Sequence, residues 1–215
     1  MIPNGCDLEL FTPSKRRRHE LPGVDDDDFV AGFTGTHGVA NGLDAVLDAA
    51  AELKRRNRYD IKLVLIGDGG QKKRLVARAE REELDNCLFF SSVKKIDIAP
   101  IIASFDYGLQ ILANVPAFYF GTSPNKFFDY ISAGVPVLCN YPGWLAEMIA
   151  EHRCGVVVPP DDPFAFAEAL CCLADQRDEA AAMGRNSRAL AESQFSREQL
   201  AERFVDIVEH PEGRH

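Results

Sequence analysis

Lys126 and Asp129 stand in the stretch of this chain that is richest in usable chemistry. The stretch reads Gly121-Thr-Ser-Pro-Asn-Lys-Phe-Phe-Asp-Tyr-Ile-Ser-Ala-Gly-Val-Pro-Val137. Its pattern predicts a loop, a capped helix start, a short helix closed by Gly134, and a buried strand. Ser123 can cap the helix and Pro124 fits its first position, which leaves the backbone N–H groups of Asn125 and Lys126 free. Bare amides and the helix dipole both favour negative charge at such a start. Lys126 adds a point charge; a cation at this end opposes the dipole and so wants an anionic partner. Asp129 lies one turn after Asn125, on the same face. Its neighbours Phe127, Phe128, Tyr130 and Ile131 are mostly apolar, so the helix is partly buried and the carboxylate needs a partner. A carboxylate there can accept hydrogen bonds from a sugar diol while the helix end holds a phosphate. Phosphate and diol together describe a nucleotide.

The elements that would position these groups alternate along the chain. Strands are expected at Phe29 to Thr34, Ile61 to Gly67, Asn86 to Phe90, Phe105 to Leu112, Val135 to Asn140 and Gly155 to Val158. Helices are expected at Leu43 to Arg56, Lys72 to Glu83, Ile98 to Ser104 and Trp144 to Glu151, with two or three more from Pro163 onward. Such alternation implies an α/β fold, a Rossmann-like doubly wound parallel sheet of about six strands with helices on both faces. Ligands of these sheets bind beyond the carboxyl ends of the strands, at the switch point. The Gly-rich loops after Thr34 and Ile66 and the loop before Ser123 all follow strands, so they can converge on one edge. Domain boundaries are expected as a connector over 1–27, a single domain over 28–210 and a tail over 211–215. The basic run Lys15 to His19 and the acidic run Asp25 to Asp28 read as a solvated surface connector, with contact to an anionic membrane surface as the alternative for the basic run.

Bulk properties narrow the function classes. The chain has 215 residues and a net charge of -9, room for one sizeable α/β domain. The charge argues against non-specific nucleic-acid binding. No apolar run approaches the roughly 20 residues of a membrane span, and Met1 is followed by no apolar signal-peptide core. Six cysteines form no C-x-x-C pair and read as reduced, mostly core residues in a cytosolic protein. No His, Cys and carboxylate cluster has metal-ligand spacing. His37 is the one ionisable group in its glycine loop; donation to a phosphate and simple surface exposure are both open. Asp68 reads as a turn former, Trp144 as a core or interface residue, and Asp106 as a structural residue beside a strand.

The order of segments resembles the C-terminal, nucleotide-sugar-binding half of retaining family-four glycosyltransferases, which have the GT-B fold. The likeness runs from Ile2 to about Val208. It rests on Ile2 to Phe11, Gly32-Phe-Thr-Gly-Thr-His-Gly38 with Gly42 to Ala50, Leu65-Ile-Gly-Asp-Gly69, Ser123 to Val137, and Cys154 to Pro160 with Asp162 to Ala167. The resemblance implies a donor site in which Gly35 and Gly38 approach the diphosphate, with His37 in the same loop. It places Ser123, Pro124, Asn125 and Lys126 at the helix start facing the phosphates. Asp129 matches the carboxylate for the ribose hydroxyls, and Val93 and Lys95 match positions that frame the nucleobase. Lys126 and Asp129 are the residues it points to as catalytic.

The sequence also departs from the family pattern. Of two glutamates in the helix segment, the second becomes Asp129 and the first falls on Gly121. The lysine of the glycine loop falls on Asn41, and no arginine lies between Gly32 and Gly42. A Ser-Pro-x-Lys helix segment resembles a branch that makes bacterial surface polysaccharides, lipopolysaccharide among them, often from UDP-linked acetamido-deoxy sugars. The implied reaction is a metal-independent, front-face transfer from an NDP-sugar, UDP-linked, to a polysaccharide or lipid-linked acceptor, with no cofactor. The implied partners are that nucleotide sugar and an N-terminal acceptor-binding domain of the same enzyme, expected before Met1; without it this chain is expected to be inactive. A cytoplasmic location, with association at the inner membrane surface through a lipid-linked acceptor left open, completes the expectation. A GT-B sugar-nucleotide epimerase and a non-catalytic scaffold are the rival readings.

Overall fold

The structure is a computed structural model that describes residues 3–13 and 21–210. The basic run Lys15 to His19, the first two residues and the tail 211–215 lie outside the described residues. Six strands form one parallel sheet: β1 (Phe29–Thr34), β2 (Ile61–Ile66), β3 (Cys87–Phe90), β4 (Tyr107–Gln110), β5 (Val137–Cys139) and β6 (Gly155–Val157). Their spatial order is β3-β2-β1-β4-β5-β6, so the winding reverses between β1 and β4. That reversal opens a crevice beyond the carboxyl ends of these two strands.

The central strands are apolar on both faces because helices cover both. Every residue of β1 is buried, and Val30 packs into one core while Phe29, Ala31 and Phe33 pack into the other. Helices α1 (Asp44–Arg55), α2 (Lys72–Arg81) and α3 (Lys95–Ile102) follow β1, β2 and β3 in turn. Beyond β4 come α4 (Pro116–Tyr119) and α5 (Asn125–Ser132), then α6 (Trp144–Glu151) after β5 and α7 (Pro163–Asp175), α8 (Arg177–Gln194) and α9 (Arg197–Glu209) after β6.

The helix that carries Lys126 and Asp129 is anchored by its apolar face. Phe127, Phe128, Tyr130 and Ile131 of α5 are fully buried; burial of side chains this size stabilises by about 1.5–3 kcal/mol each. Tyr130 lies against β4 where Gly108 has no side chain, since a Cβ there would come within 2.4 Å of the ring. Its hydroxyl accepts the Thr34 backbone N–H at 2.9 Å. One residue thus pins α5 to both strands that flank the switch point.

Three local differences from the sequence reading have physical causes. The helix expected over Ile98 to Ser104 starts earlier, at Lys95, and contains Pro100. The carbonyl that Pro100 leaves without its helical donor is that of Ile96, an exposed residue, so the proline is tolerated there. The short helix α4 and a 3-10 turn over Val39–Asn41 lie in segments read as loop, because both are too brief to show a period. Pro124, expected as the first helical residue, is instead the extended residue before it, with φ -77° and ψ 124°.

Candidate functional site

The crevice at the switch point has a volume of about 620 Å³. Loops after β1, β2 and β3 and the start of α5 supply its walls. Gly35 and Thr36 come from the first loop, Gly67 and Asp68 from the second, Ser92, Val93 and Lys95 from the third, and Pro124, Asn125, Lys126 and Asp129 from α5.

The floor depends on two glycine loops pressed together. The Gly35 N–H donates to the Ile66 carbonyl at 2.9 Å, the His37 N–H to the Asp68 carbonyl at 2.9 Å, and the Gln71 N–H to the His37 carbonyl at 2.9 Å. Gly67 has φ 148°, and a Cβ on it would meet the Gly35 carbonyl oxygen at 1.8 Å. No other residue fits that position without separating the loops. Asp68 braces the third wall. Its Oδ2 accepts from the Ser92 N–H at 2.8 Å and the Ser92 hydroxyl at 2.7 Å, and its Oδ1 accepts from Lys72 at 2.9 Å. These donors hold its carboxyl well below the usual carboxylate range.

The start of α5 is bare for a reason that Ser123 alone did not reveal. Ser123, expected to cap the helix, does not; no side chain caps it. The Ser123 hydroxyl instead accepts the Asn4 backbone N–H at 2.9 Å, and the Asn4 side-chain amide donates to the Ser123 carbonyl at 2.5 Å and to Asn125 Oδ1 at 2.9 Å. The connector therefore takes up the capping hydroxyl. Among the described residues no acceptor serves the backbone N–H groups of Asn125 and Lys126.

Lys126 turns back over this opening. Its Nζ lies 4.6 Å from the centroid of the Phe33 ring and donates to Asn41 Oδ1 at 3.0 Å. The Cβ position of Gly35 is 3.3 Å from its Cε. Partial burial lowers its pKa to about 8. Among the described residues no carboxylate comes within ion-pair distance of it. Asp129, one turn along, faces Lys95 Nζ at 3.7 Å. Burial raises its pKa, and the ammonium of Lys95 lowers it by less.

Most residues named from the sequence meet here, and three do not line the crevice. His37 is fully buried, with its ring 6.0 Å from that of Phe33 and 6.2 Å from that of Phe89. Neither ring nitrogen has a partner, and burial lowers its pKa, helped by the positive charge of Lys72. Its side chain therefore stands neither at the surface nor where a phosphate donor would; the main chain of His37 does the work by joining the two loops. Gly38 precedes the 3-10 turn, and Ser123 is occupied by Asn4. Asp68 and Thr36 line the wall although the sequence reading had given them no binding role; the G-D-G turn after a buried strand was the available signal for Asp68. Trp144 is part of the core margin, and its indole N–H donates to the Thr122 carbonyl at 2.9 Å.

A bare helix start, an unneutralised ammonium and two interlocked glycine loops at a switch point form an anion cradle. A family model described as Glycosyl transferases group 1 matches residues 14–190. The chain belongs to this family. Its fold is that of the C-terminal half of GT-B glycosyltransferases. The D-inositol 3-phosphate glycosyltransferase of Paenarthrobacter aurescens (strain TC1) is 30% identical over 202 residues, which cover 90% of this chain and 47% of that protein. Sucrose-phosphate synthase from Thermosynechococcus elongatus superimposes with a TM-score of 0.82 at 21% identity, covering 98% of this chain and 52% of that one. Alr3699/HepE of Anabaena, crystallised in complex with UDP, gives a TM-score of 0.80 at 20% identity, covering 95% and 56%. The chain thus spans about half the length of the curated relatives it matches. Among the described residues no helix is long and apolar enough to cross a membrane, and no group of three or more His, Cys, Asp or Glu could hold a metal ion.

Proposed function

We propose that this chain is the donor-binding domain of a retaining glycosyltransferase, moving a sugar from a nucleoside-diphosphate sugar to a polysaccharide or lipid-linked acceptor. Residues 28–210 are the domain in this reading, 1–27 a connector and 211–215 a tail. The observation that carries it is the ammonium of Lys126, poised without a carboxylate beside Gly35 and the bare amides of α5, with the Asp129 carboxylate one turn away. A diphosphate on the amides and Lys126 would set a ribose diol near Asp129, with Val93 and Lys95 bordering the base.

The chemistry follows from charge. As the bond from anomeric carbon to phosphate oxygen breaks, the diphosphate gains negative charge. Preorganised donors aimed at that charge lower the barrier, a single well-placed one by about 2.7–4 kcal/mol. The amides of Asn125 and Lys126 and the Lys126 ammonium serve that purpose, with no metal or cofactor in the proposal. The UDP in the Anabaena structure supports a uridine donor. The Ser-Pro-Asn-Lys segment supports a place in surface-polysaccharide synthesis, at the cytoplasmic face of the membrane.

Calorimetric titration with UDP, GDP, ADP and TDP tests the reading. UDP is expected to bind weakly but above the others, with no turnover of UDP-sugars by this chain alone. Absence of binding to every nucleotide would overturn the proposal in favour of a non-catalytic scaffold. Efficient transfer by the chain alone would remove the need for an acceptor-binding domain.

A further inference from the structure

Asn41 stands between the glycine loop and α5, and its side-chain amide is used at both ends. Its Nδ2 donates to the Thr36 carbonyl at 2.7 Å, and its Oδ1 accepts from Lys126 Nζ at 3.0 Å. The two partners fix the orientation of the amide. Reversed, it would set an N–H against an ammonium and an oxygen against a carbonyl. We propose that Asn41 is a positioning residue: its neutral amide aims the Lys126 ammonium across Gly35 and leaves that charge available to a diphosphate. The inference rests on the donor-site reading above and assigns a residue of that site which touches no ligand itself.

Two lysines on the same rim show the difference a partner makes. Lys72 donates to a carboxylate oxygen of Asp68 at 2.9 Å and to the carbonyls of Gly67 and Phe90 at 2.8 Å each. It is saturated and braces the wall. Lys126 has one neutral acceptor and the face of Phe33, which orient an ammonium without cancelling its charge. Of the other ionisable groups lining the crevice, Asp68 is held by Lys72 and Ser92, while Asp129 and Lys95 face each other loosely at 3.7 Å. The pair of Lys126 with Asn41 is therefore the point at which substitution by an isosteric acid would close the site electrostatically.

The decisive comparison is Asn41→Asp against wild type and Asn41→Ala. Binding of UDP, inorganic pyrophosphate and uridine is measured from pH 6.5 to 9.5, and the ammonium of Lys126 is followed by NMR in the ligand-free chain. In the wild type, affinity for UDP and pyrophosphate falls as pH rises through about 8, where Lys126 loses its proton. In Asn41→Asp the Lys126 titration moves upward, and affinity for both anions at pH 7 falls about tenfold or more, the size expected for losing one charge-assisted contact. Uridine binding does not change. Asn41→Ala weakens UDP by a smaller factor and leaves the titration lower than in Asn41→Asp, which separates charge from packing. If wild type binds UDP while Asn41→Asp binds it equally well with an unmoved Lys126 titration, the role of Asn41 is refuted and the donor site stands. If wild type binds neither UDP nor pyrophosphate, the donor-site reading itself fails and takes this inference with it.

Discussion

Lys95 and Asp129 face each other across the crevice, with Nζ 3.7 Å from Oδ1. The first belongs to the start of α3 and the second to the second turn of α5, so the pair joins two walls of the site. The contact is loose, and Lys95 is half exposed, so water screens it. Asp129 is thus a partly buried carboxylate with a weak partner, and its pKa is raised accordingly. A ribose diol would supply the two hydrogen bonds that the carboxylate lacks. Asp129→Ala is expected to weaken UDP by about 1.5–3 kcal/mol, the usual worth of hydrogen bonds to a charged group, and to leave pyrophosphate unchanged. Equal loss for both ligands in calorimetry would show that Asp129 shapes the helix rather than reading the sugar. The sign of the pKa shift adds a stability effect. A carboxyl with a raised folded-state pKa favours the fold below its unfolded value of 3.8 and loses that benefit as pH rises through the folded value. Asp129→Asn, neutral throughout, is therefore expected to melt higher than wild type at pH 7.

Lys126 makes the same exchange of stability for function with the opposite charge. Its pKa is lowered from 10.5 to about 8 because the fold removes water from the ammonium without supplying a counter-charge. The unfolded chain holds more protons than the folded one between these values, so this group's contribution to stability rises with pH across about 8 to 10.5. Below that window the charge costs the fold something. Lys126→Met keeps most of the aliphatic contact with Phe33 and deletes the charge. Its unfolding free energy at pH 7 should rise by on the order of 1 kcal/mol and its melting temperature with it, while binding of UDP and pyrophosphate is lost together. A variant that melts lower and still binds would mean that the ammonium is structural.

How much of this was legible in the sequence divides along the range of the interactions involved. Phe29–Thr34 and Trp144–Glu151 match the sequence reading to the residue, because an apolar strand and an amphipathic helix declare themselves within a few positions. The convergence of the loops after Thr34 and Ile66 and before Ser123 was legible because each follows a strand of a parallel sheet. The capping of α5 did not, because Asn4 lies 119 residues from Ser123 in the chain, and a local rule cannot see that competitor. The burial of His37 depends on Phe89 in β3, and the brace at Asp68 depends on Ser92. Sequence pattern named the residues at the ends of strands; it could not decide which of them turn inward.

His37 makes the clearest case of such a turn, and acid should expose it. Its ring is enclosed by Phe33 and Phe89 with both nitrogens unpartnered, and Lys72 adds like charge against protonation. The folded chain therefore resists a proton that the unfolded chain accepts near 6.5. With a folded pKa below the unfolded one, stability is highest above pH 6.5 and falls as pH drops below it. His37→Leu fills a similar apolar space and cannot be protonated. Urea unfolding of wild type and variant from pH 5 to 8 should show curves that run parallel above pH 7 and separate below 6.5, where wild type loses stability faster. The loss should appear first as weaker pyrophosphate binding, since the backbone of His37 ties the Gly35 loop to the turn at Asp68 and Gln71. Identical pH dependence in the two proteins would place the acid-sensitive group elsewhere.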